Sequence, residues 1–231
     1  MRLSIVVPVL DEASMLPGLL DALASLRRSG HELIVVDGGS RDGSLELARN
    51  GADHVLASAR GRARQMNAGA AIATGDVLLF VHADTRLPAD AIEAIAAAVA
   101  RGAAWGRFDV RIVGRHYLLP LIAAAMNLRS RLTGIATGDQ AIFAQRKIFT
   151  PAGGFPEIAL MEDIALSRRL KRFGRPACLH ARVTTSGRRW ERRGVLRTML
   201  LMWRLRFAYF CGASPANLAR FYDDTRGGDP A

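Results

Sequence analysis

Leu3-Ser4-Ile5-Val6-Val7-Pro8-Val9-Leu10-Asp11-Glu12 opens the chain, and Leu33-Ile34-Val35-Val36-Asp37-Gly38-Gly39-Ser40-Arg41-Asp42-Gly43 repeats its pattern: a short apolar run, then acids and glycines. Runs of that length bounded by turn residues predict buried strands at 3–9 and 32–36, and similar runs predict strands at 54–57 and 77–81. Helical stretches fall between and after them, at about 14–26, 43–50, 61–73 and 88–99, the last rich in alanine with Pro88 in its first turn. Strand and helix in alternation specify a parallel sheet covered by helices, the nucleotide-binding type of α/β half. In such sheets ligands bind beyond the carboxyl ends of the strands, so the loops starting at Asp11, Asp37 and His82 are expected to converge.

The second half is less regular. Residues 105–113 alternate apolar and polar, as an antiparallel strand would, and 117–132 predicts an apolar helix or lid. A short strand is expected at 141–143 and a helix over 161–173, ending at Gly174 with Pro176 close behind. Residues 194–210 mix Leu, Met, Trp and Phe with Arg197, Arg204 and Arg206. The expected fold class is therefore α/β, a Rossmann-like α/β/α sandwich with a mixed, mainly parallel central sheet and a helical C-terminal extension. One domain is expected over 1–190, with a nucleotide-binding half at about 1–100 and an acceptor half at about 101–190. A basic amphipathic extension follows over 191–231.

Composition narrows the function. The chain has 231 residues, 50% hydrophobic and 23% charged, enough apolar material for a sizeable core, which excludes a disordered or fibrous chain. The net charge of +11 is carried almost entirely by arginine, since Lys147 and Lys171 are the only lysines. Between Arg168 and Arg206 there are 13 basic residues against one acid, Glu191. Such a surface suits phosphates, whether of a nucleotide, a nucleic acid or an anionic membrane, although a genome rich in G and C would give the same arginine excess. Aromatics are only 6% and are not interleaved with the basic run, so no stacking platform for nucleic acid is expected. Cys178 and Cys211 make neither a disulfide framework nor a metal pair, which fits a reducing cytoplasm. The N-terminal run is too short for a signal peptide, and the uncharged stretch 117–128 falls short of the roughly 20 residues of a membrane span.

Several residues could carry chemistry, and each has a plainer alternative. Asp37 at a strand end could accept hydrogen bonds from a base or ribose, or simply close a turn. Asp11-Glu12 could join it, or lie in a solvated loop. His82 and Asp84, two residues apart, would share a face if the strand ran through them and could bind a divalent metal; Asp84 could equally cap the following helix. Glu162-Asp163 could be ordinary acids at a helix start, or Asp163 a general base for an attacking hydroxyl. Arg189-Trp190 could clamp a diphosphate or stack on an acceptor, or form a basic turn with a packed indole. Asp139, in Gly138-Asp139-Gln140, could face donor phosphates or acceptor, or be satisfied within a turn.

Taken in order, these segments resemble the family 2 glycosyltransferases of the GT-A fold. The resemblance rests on Ile5 to Glu12, Leu33 to Gly43, Gln65-Met66-Asn67-Ala68-Gly69, Gly75-Asp76, His82-Ala83-Asp84, Gly154-Phe155, Met161-Glu162-Asp163 and Arg189-Trp190. More narrowly, the chain resembles a small bacterial subgroup with His-Ala-Asp-Thr in place of Asp-x-Asp. The resemblance implies that Pro8, Asp11, Glu12 and Asp37 line the nucleotide pocket with Asp37 facing the base. One arginine of Arg60, Arg62 and Arg64 assists, Arg64 being favoured. It also implies that Asp84, with His82, holds Mg²⁺ or Mn²⁺ against the diphosphate of a UDP- or GDP-sugar. Asp163, beside Glu162, would be the base of an inverting single displacement, with Asp139, Gln140, Arg189 and Trp190 on the substrate side. The chain departs from the family at His82 for the first metal Asp, at Gly38 for a second Asp after strand two, and at Ser186, where Gln or Arg often precedes the Arg-Trp pair. The last departure, with no predicted span, points to transfer of a single sugar rather than polymer synthesis.

The segment 194–210 could dock on anionic lipid at the inner face of the membrane, which would suit a lipid-linked acceptor such as a polyprenyl phosphate. Packing on the catalytic domain, or a homodimer contact, is the alternative. A sugar-phosphate nucleotidyltransferase would need a basic, glycine-rich loop after the first strand, where this chain has Val9-Leu10-Asp11-Glu12. A non-catalytic anion-binding or nucleic-acid-binding protein would account for the charge alone.

Overall fold

A computed structural model describes residues 1–224, apart from the side chains of residues 189, 192, 193, 223 and 224. In chain order the elements are β1 (Leu3–Val9), α1 (Leu16–Arg28), β2 (Glu32–Asp37), α2 (Ser44–Gly51), β3 (His54–Ala57), α3 (Arg62–Ile72), β4 (Val77–Phe80), β5 (Thr85–Arg86) and α4 (Ala91–Ala100). The second half adds β6 (Trp105–Val113), α5 (Leu119–Thr133), β7 (Phe143–Gln145), α6 (Arg146–Phe149), α7 (Glu162–Leu170), β8 (Ala177–Ser186), α8 (Arg188–Arg193), α9 (Val195–Phe210) and α10 (Pro215–Asp224).

The eight strands form one sheet in the order β3-β2-β1-β4-β7-β6-β8-β5. Pairings among β1 to β4 are parallel, β7 runs antiparallel to both β4 and β6, and β6 pairs with β8 in parallel. The expected α/β class with a mixed, mainly parallel sheet is what the chain forms. Every residue of β1 and β2 is buried, as continuous apolar runs between two helical layers require. Alternate side chains feed opposite cores. Leu3, Ile5, Val7 and Val9 meet α1 and α4 on one face, while Val6, Ile34 and Val36 meet α3 and the Leu166 and Leu170 side of α7 on the other.

The alternation in β6 does not mark a solvent face. Arg107 and Asp109 are buried as an ion pair under α5, and Arg131 grips both Asp109 oxygens at 2.7 and 2.9 Å. Burial alone would raise the Asp109 pKa, but the hydrogen bonds from Arg131 and Arg107 outweigh it and hold the carboxyl below its ordinary range. Charge neutralisation thus lets a polar position occupy the interior.

The C-terminal helices are part of the same body. Leu205 of α9 and Leu218 and Tyr222 of α10 form a third core with Met161 and Ile164, at the loop before α7 and its first turn. Among the described residues no helix is long and apolar enough to cross a membrane.

Candidate functional site

The polar loops after β1 and β2 lock into each other. Asp11 takes a positive φ of 54°, its carboxylate accepts the Arg41 amide at 2.8 Å, and its own amide donates to Ser40 Oγ at 2.9 Å. Asp42 accepts the Ala13 amide at 2.8 Å, and Ser44 Oγ accepts the Glu12 amide at 2.9 Å. Asp37, only 3% exposed, accepts the amides of Gly39 and Ser40 at 2.9 and 3.0 Å and also the Ser40 hydroxyl. Its oxygens close their own loop, where backbone donors two and three residues on reach them.

Gln65 binds the strand ends from below. Its Nε2 donates to the carbonyls of Val9 and Val36 at 2.7 and 2.9 Å. A Cβ at position 38 would lie 3.0 Å from that amide, so the glycine standing where the family has an acid makes room for Gln65. Asn67, packed against Gly154, exchanges hydrogen bonds with the Phe155 backbone at 2.8 and 2.9 Å and ties α3 to the loop leading to Glu162.

These loops bound a first cavity of about 320 Å³ lined by Pro8, Val9, Leu10, Glu12, Arg60, Gly61, Arg62, Gln65, His82, Ala83 and Asp84. Pro8, Glu12, His82 and Asp84 are therefore together, as the sequence implied, but by a different route. β4 ends at Phe80, and a turn closed by Thr85 N–H to the His82 carbonyl at 3.0 Å carries both metal candidates to the cavity. Asp84 does not cap α4, which starts at Ala91. Asp11 and Asp37 lie outside the lining. So does Arg64, whose Nε pairs with Glu157 at 3.1 Å on the surface; Arg60 and Arg62 take its expected place. Residues two apart on a helix point nearly opposite ways, so Arg62 and Arg64 cannot both face one cavity.

A second, tighter cavity of about 80 Å³ adjoins the first and shares Arg62 and His82 with it. Its other walls include Gly138, Asp139, Glu162, Asp163, Met202 and Arg206. Asp163 Oδ2 accepts the Gly138 amide at 2.9 Å, and Oδ1 accepts the Ile164 amide at 2.7 Å. Met161, at φ 71°, makes the bend that delivers Glu162 and Asp163 into the first turn of α7, a left-handed conformation of the kind concentrated at functional sites. Glu162 is buried and lies 3.5 Å from Arg62 Nη1; burial, and then the charge of Asp163, push its carboxyl above the ordinary range. His82 Nδ1 lies 3.6 Å from Asp139, and its ring is packed on Gly138, where a Cβ would come within 2.4 Å of it.

Gln140 is fully buried, in a capping box with Thr137, and its Nε2 reaches Asn127 at 3.3 Å. It shapes the Gly138-Asp139 turn and does not face the cavity, as apolar Ala141, Ile142 and β7 pull its backbone into the core. Trp190 lines a third cavity, of about 320 Å³, together with Asp139, Arg129, Met202 and Arg206. The side chain of Arg189 lies outside the described residues. The sequence reading quoted Gln65 only as part of a motif, passed over Arg129 and placed Arg206 in the C-terminal segment rather than in a cavity wall. Arginines set into the apolar sequences of α5 and α9 were the available signal for the last two. Burial, and then the neighbouring Arg206 charge, lower the Arg129 pKa to about 10.

Comparison with known proteins agrees with this architecture. The sequence profile of the family described as Glycosyl transferase family 2 matches residues 4–149. A PGL/p-HBAD biosynthesis glycosyltransferase of Mycobacterium bovis is 37% identical over 102 residues, covering 41% of this chain and 40% of the relative. An undecaprenyl-phosphate 4-deoxy-4-formamido-L-arabinose transferase of Pseudomonas fluorescens is 32% identical over 158 residues, covering 59% of this chain and 44% of that one. The chain thus spans less than half the length of either relative. Among solved structures, a mannosyltransferase of Pyrobaculum calidifontis in complex with GDP-Man and Mn²⁺ superposes with a TM-score of 0.65 at 23% identity, covering 90% of this chain and 61% of that one. At that identity the likeness is one of fold, the GT-A fold.

Proposed function

This chain belongs to glycosyltransferase family 2, and we propose that it moves one sugar from a UDP- or GDP-sugar to an acceptor hydroxyl or phosphate by a single inverting displacement. The observation that carries the reading is the adjacency of the first two cavities. Arg60, Arg62, His82 and Asp84 gather where a diphosphate would lie, and Asp163 opens into the space beyond them. The acceptor oxygen attacks the anomeric carbon as the bond to the donor diphosphate breaks. The electron pair leaves with the nucleoside diphosphate, and the proton of an attacking hydroxyl passes to Asp163.

Two amide donors fix the Asp163 carboxylate and leave lone pairs for that proton. Burial, and then the charge of Asp163, raise the Glu162 pKa, which disfavours a second negative charge beside Asp163. Arg60 and Arg62 bind and orient the phosphates. His82-Ala83-Asp84-Thr85 supports membership of the subgroup bearing that motif.

Among the described residues no three His, Cys, Asp or Glu side chains form a self-sufficient metal cluster. The donor set instead fits an ion held by one carboxylate and substrate phosphates, the usual arrangement for Mg²⁺ and Mn²⁺. Asp84, with His82, would hold it, and the ion would neutralise charge on the departing diphosphate. The Mn²⁺ and GDP-Man of the archaeal structure support this reading. Exposed apolar residues on α5 and α9 support an enzyme seated on a membrane surface.

The test is Asp163→Asn. Nucleoside diphosphate release in the presence of acceptor falls by about 10²–10⁴-fold, while the donor still raises the melting temperature. Unchanged release would remove Asp163 as the base.

A further inference from the structure

Among the described residues, three buried side-chain polar atoms have no hydrogen-bond partner: Arg129 Nε, Arg129 Nη2 and Thr198 Oγ1. All three belong to residues lining the third cavity, between α5, α8 and α9. Native structures satisfy nearly all buried polar groups, so a concentration of exceptions at one cavity points to a ligand that supplies the missing acceptors. The chemistry of that ligand follows from the walls. Arg129 and Arg206 outnumber the one carboxylate of the lining, Asp139, so the wall is net cationic and takes an anion, and the guanidinium fork suits phosphate oxygens. Ile122, Met126, Met199, Met202, Trp190 and Trp203 offer only apolar surface and rings, which a free anion would not use.

The cavity also leads to an apolar exterior. Leu196, Leu200, Trp203, Phe207 and Phe210 are all more than half exposed and follow one another on α9 at spacings of four and three, a single stripe. Leu121, Leu128 and Leu132 expose a second stripe on α5. Trp203 belongs both to the exposed stripe and to the cavity wall. Arg197 and Arg204 are exposed on the same helix, the cationic complement of an anionic bilayer. On its inner side the cavity shares Asp139, Met202 and Arg206 with the space that Asp163 enters.

We propose that the third cavity holds the acceptor, and that the acceptor is a membrane lipid in which a phosphate is esterified to a long apolar chain. The phosphate rests on Arg129, Arg206 and Thr198, and the chain leaves past Met199 and Trp203 into the bilayer. The word acceptor rests on the glycosyltransferase reading; the class of ligand rests on the cavity alone. A phosphate oxygen then attacks the anomeric carbon as the bond to the nucleoside diphosphate breaks, and Asp163 takes the one proton that the phosphate monoanion still carries.

The test uses the full chain and phosphatidylcholine vesicles carrying either a polyprenyl monophosphate or the uncharged polyprenol, with inorganic phosphate as competitor and UDP- and GDP-sugar melting shifts measured in parallel. Vesicles with the phosphate are expected to carry the protein upward on flotation and polyprenol vesicles are not. Arg129→Gln and Arg206→Gln each weaken flotation about tenfold, Arg129→Lys restores part of it, and the donor melting shift stays. Thr198→Val, close in shape and leaving no unpaired hydroxyl, keeps the fold and weakens flotation several-fold by the same principle.

Equal flotation on both vesicles with no effect of the variants would reduce the interaction to surface adsorption and overturn the proposal. Release of the protein by equimolar inorganic phosphate would overturn it in favour of a free-anion site. A donor shift without flotation would refute the lipid phosphate and leave the transferase reading standing. Flotation sensitive to Arg129 without any donor shift would do the reverse.

Discussion

The proposed donor side and the proposed acceptor side of the cleft are built on opposite principles. On the donor side, the carboxylates of Asp11, Asp37 and Asp42 are taken up by backbone amides, and Gln65 seals the ends of β1 and β2. On the acceptor side, Arg129 and Thr198 keep buried atoms without partners between apolar walls. A satisfied network holds a shape before any ligand arrives. An unsatisfied one is completed by the ligand, which gives selectivity for molecules that supply its missing partners.

Where the two sides meet, Gly138 is the tightest point, and substitution there is expected to have the largest effect. Gly138→Ala would drive a Cβ to 2.4 Å from the His82 ring and displace it from both cavities. Turnover is expected to fall by about 10²-fold, with a stability loss of about 1–3 kcal/mol; normal turnover would show that the His82 position is unimportant. Next comes Gly38→Asp, which restores the acid usual in the family but lies 3.0 Å from the Gln65 amide. Displacing Gln65 removes its bonds to the Val36 carbonyl and to the Val9 carbonyl, which keeps the Gly38 amide at 2.8 Å, and costs about 1–3 kcal/mol, read as a fall of about 2–4 °C in Tm per kcal/mol. A variant as stable as the parent would break the claim that the donor side is closed by that amide.

Glu162 sharpens the comparison through pH. Its folded-state pKa is raised, by burial first and then by Asp163, so above the unfolded value the native state holds more protons than the unfolded chain. Stability therefore falls as pH rises from the ordinary glutamate pKa through the raised one. Glu162→Gln should flatten that part of a Tm-against-pH curve, and an unchanged slope would assign the titration elsewhere. The smallest effect belongs to Arg64→Gln. An exposed pair with Glu157 is worth at most about 1 kcal/mol, and donor binding should be unaltered, whereas Arg62→Gln should weaken it.

The same division governs what could be read from the chain. β1, β2 and β4 were legible because strands buried on both faces are continuous apolar runs, and β3, a part-exposed edge strand, by its short apolar run alone. The converging loops followed from strand ends in a parallel sheet. The duties of Asp37 and Gln140 were not legible, since a motif shows a polar side chain but not which backbone amide reaches it first. β8 went unread because its sequence, ACLHARVTTS, mixes apolar and polar residues without a clean period. The third cavity joins Arg129 of α5 to Thr198 and Arg206 of α9, distant in sequence and brought together only by helix packing.

The most direct measurement is the melting temperature of the protein and of Asp84→Asn with UDP, GDP, UDP-sugars and GDP-sugars, each with and without Mn²⁺. A ligand bound only by the native state stabilises it in proportion to the logarithm of its concentration over Kd. The account predicts a selective upward shift for one nucleotide, larger with Mn²⁺, and loss of the Mn²⁺ increment in Asp84→Asn. No shift with any of them would contradict a nucleotide-sugar site in the cavity of Arg60, Arg62, His82 and Asp84.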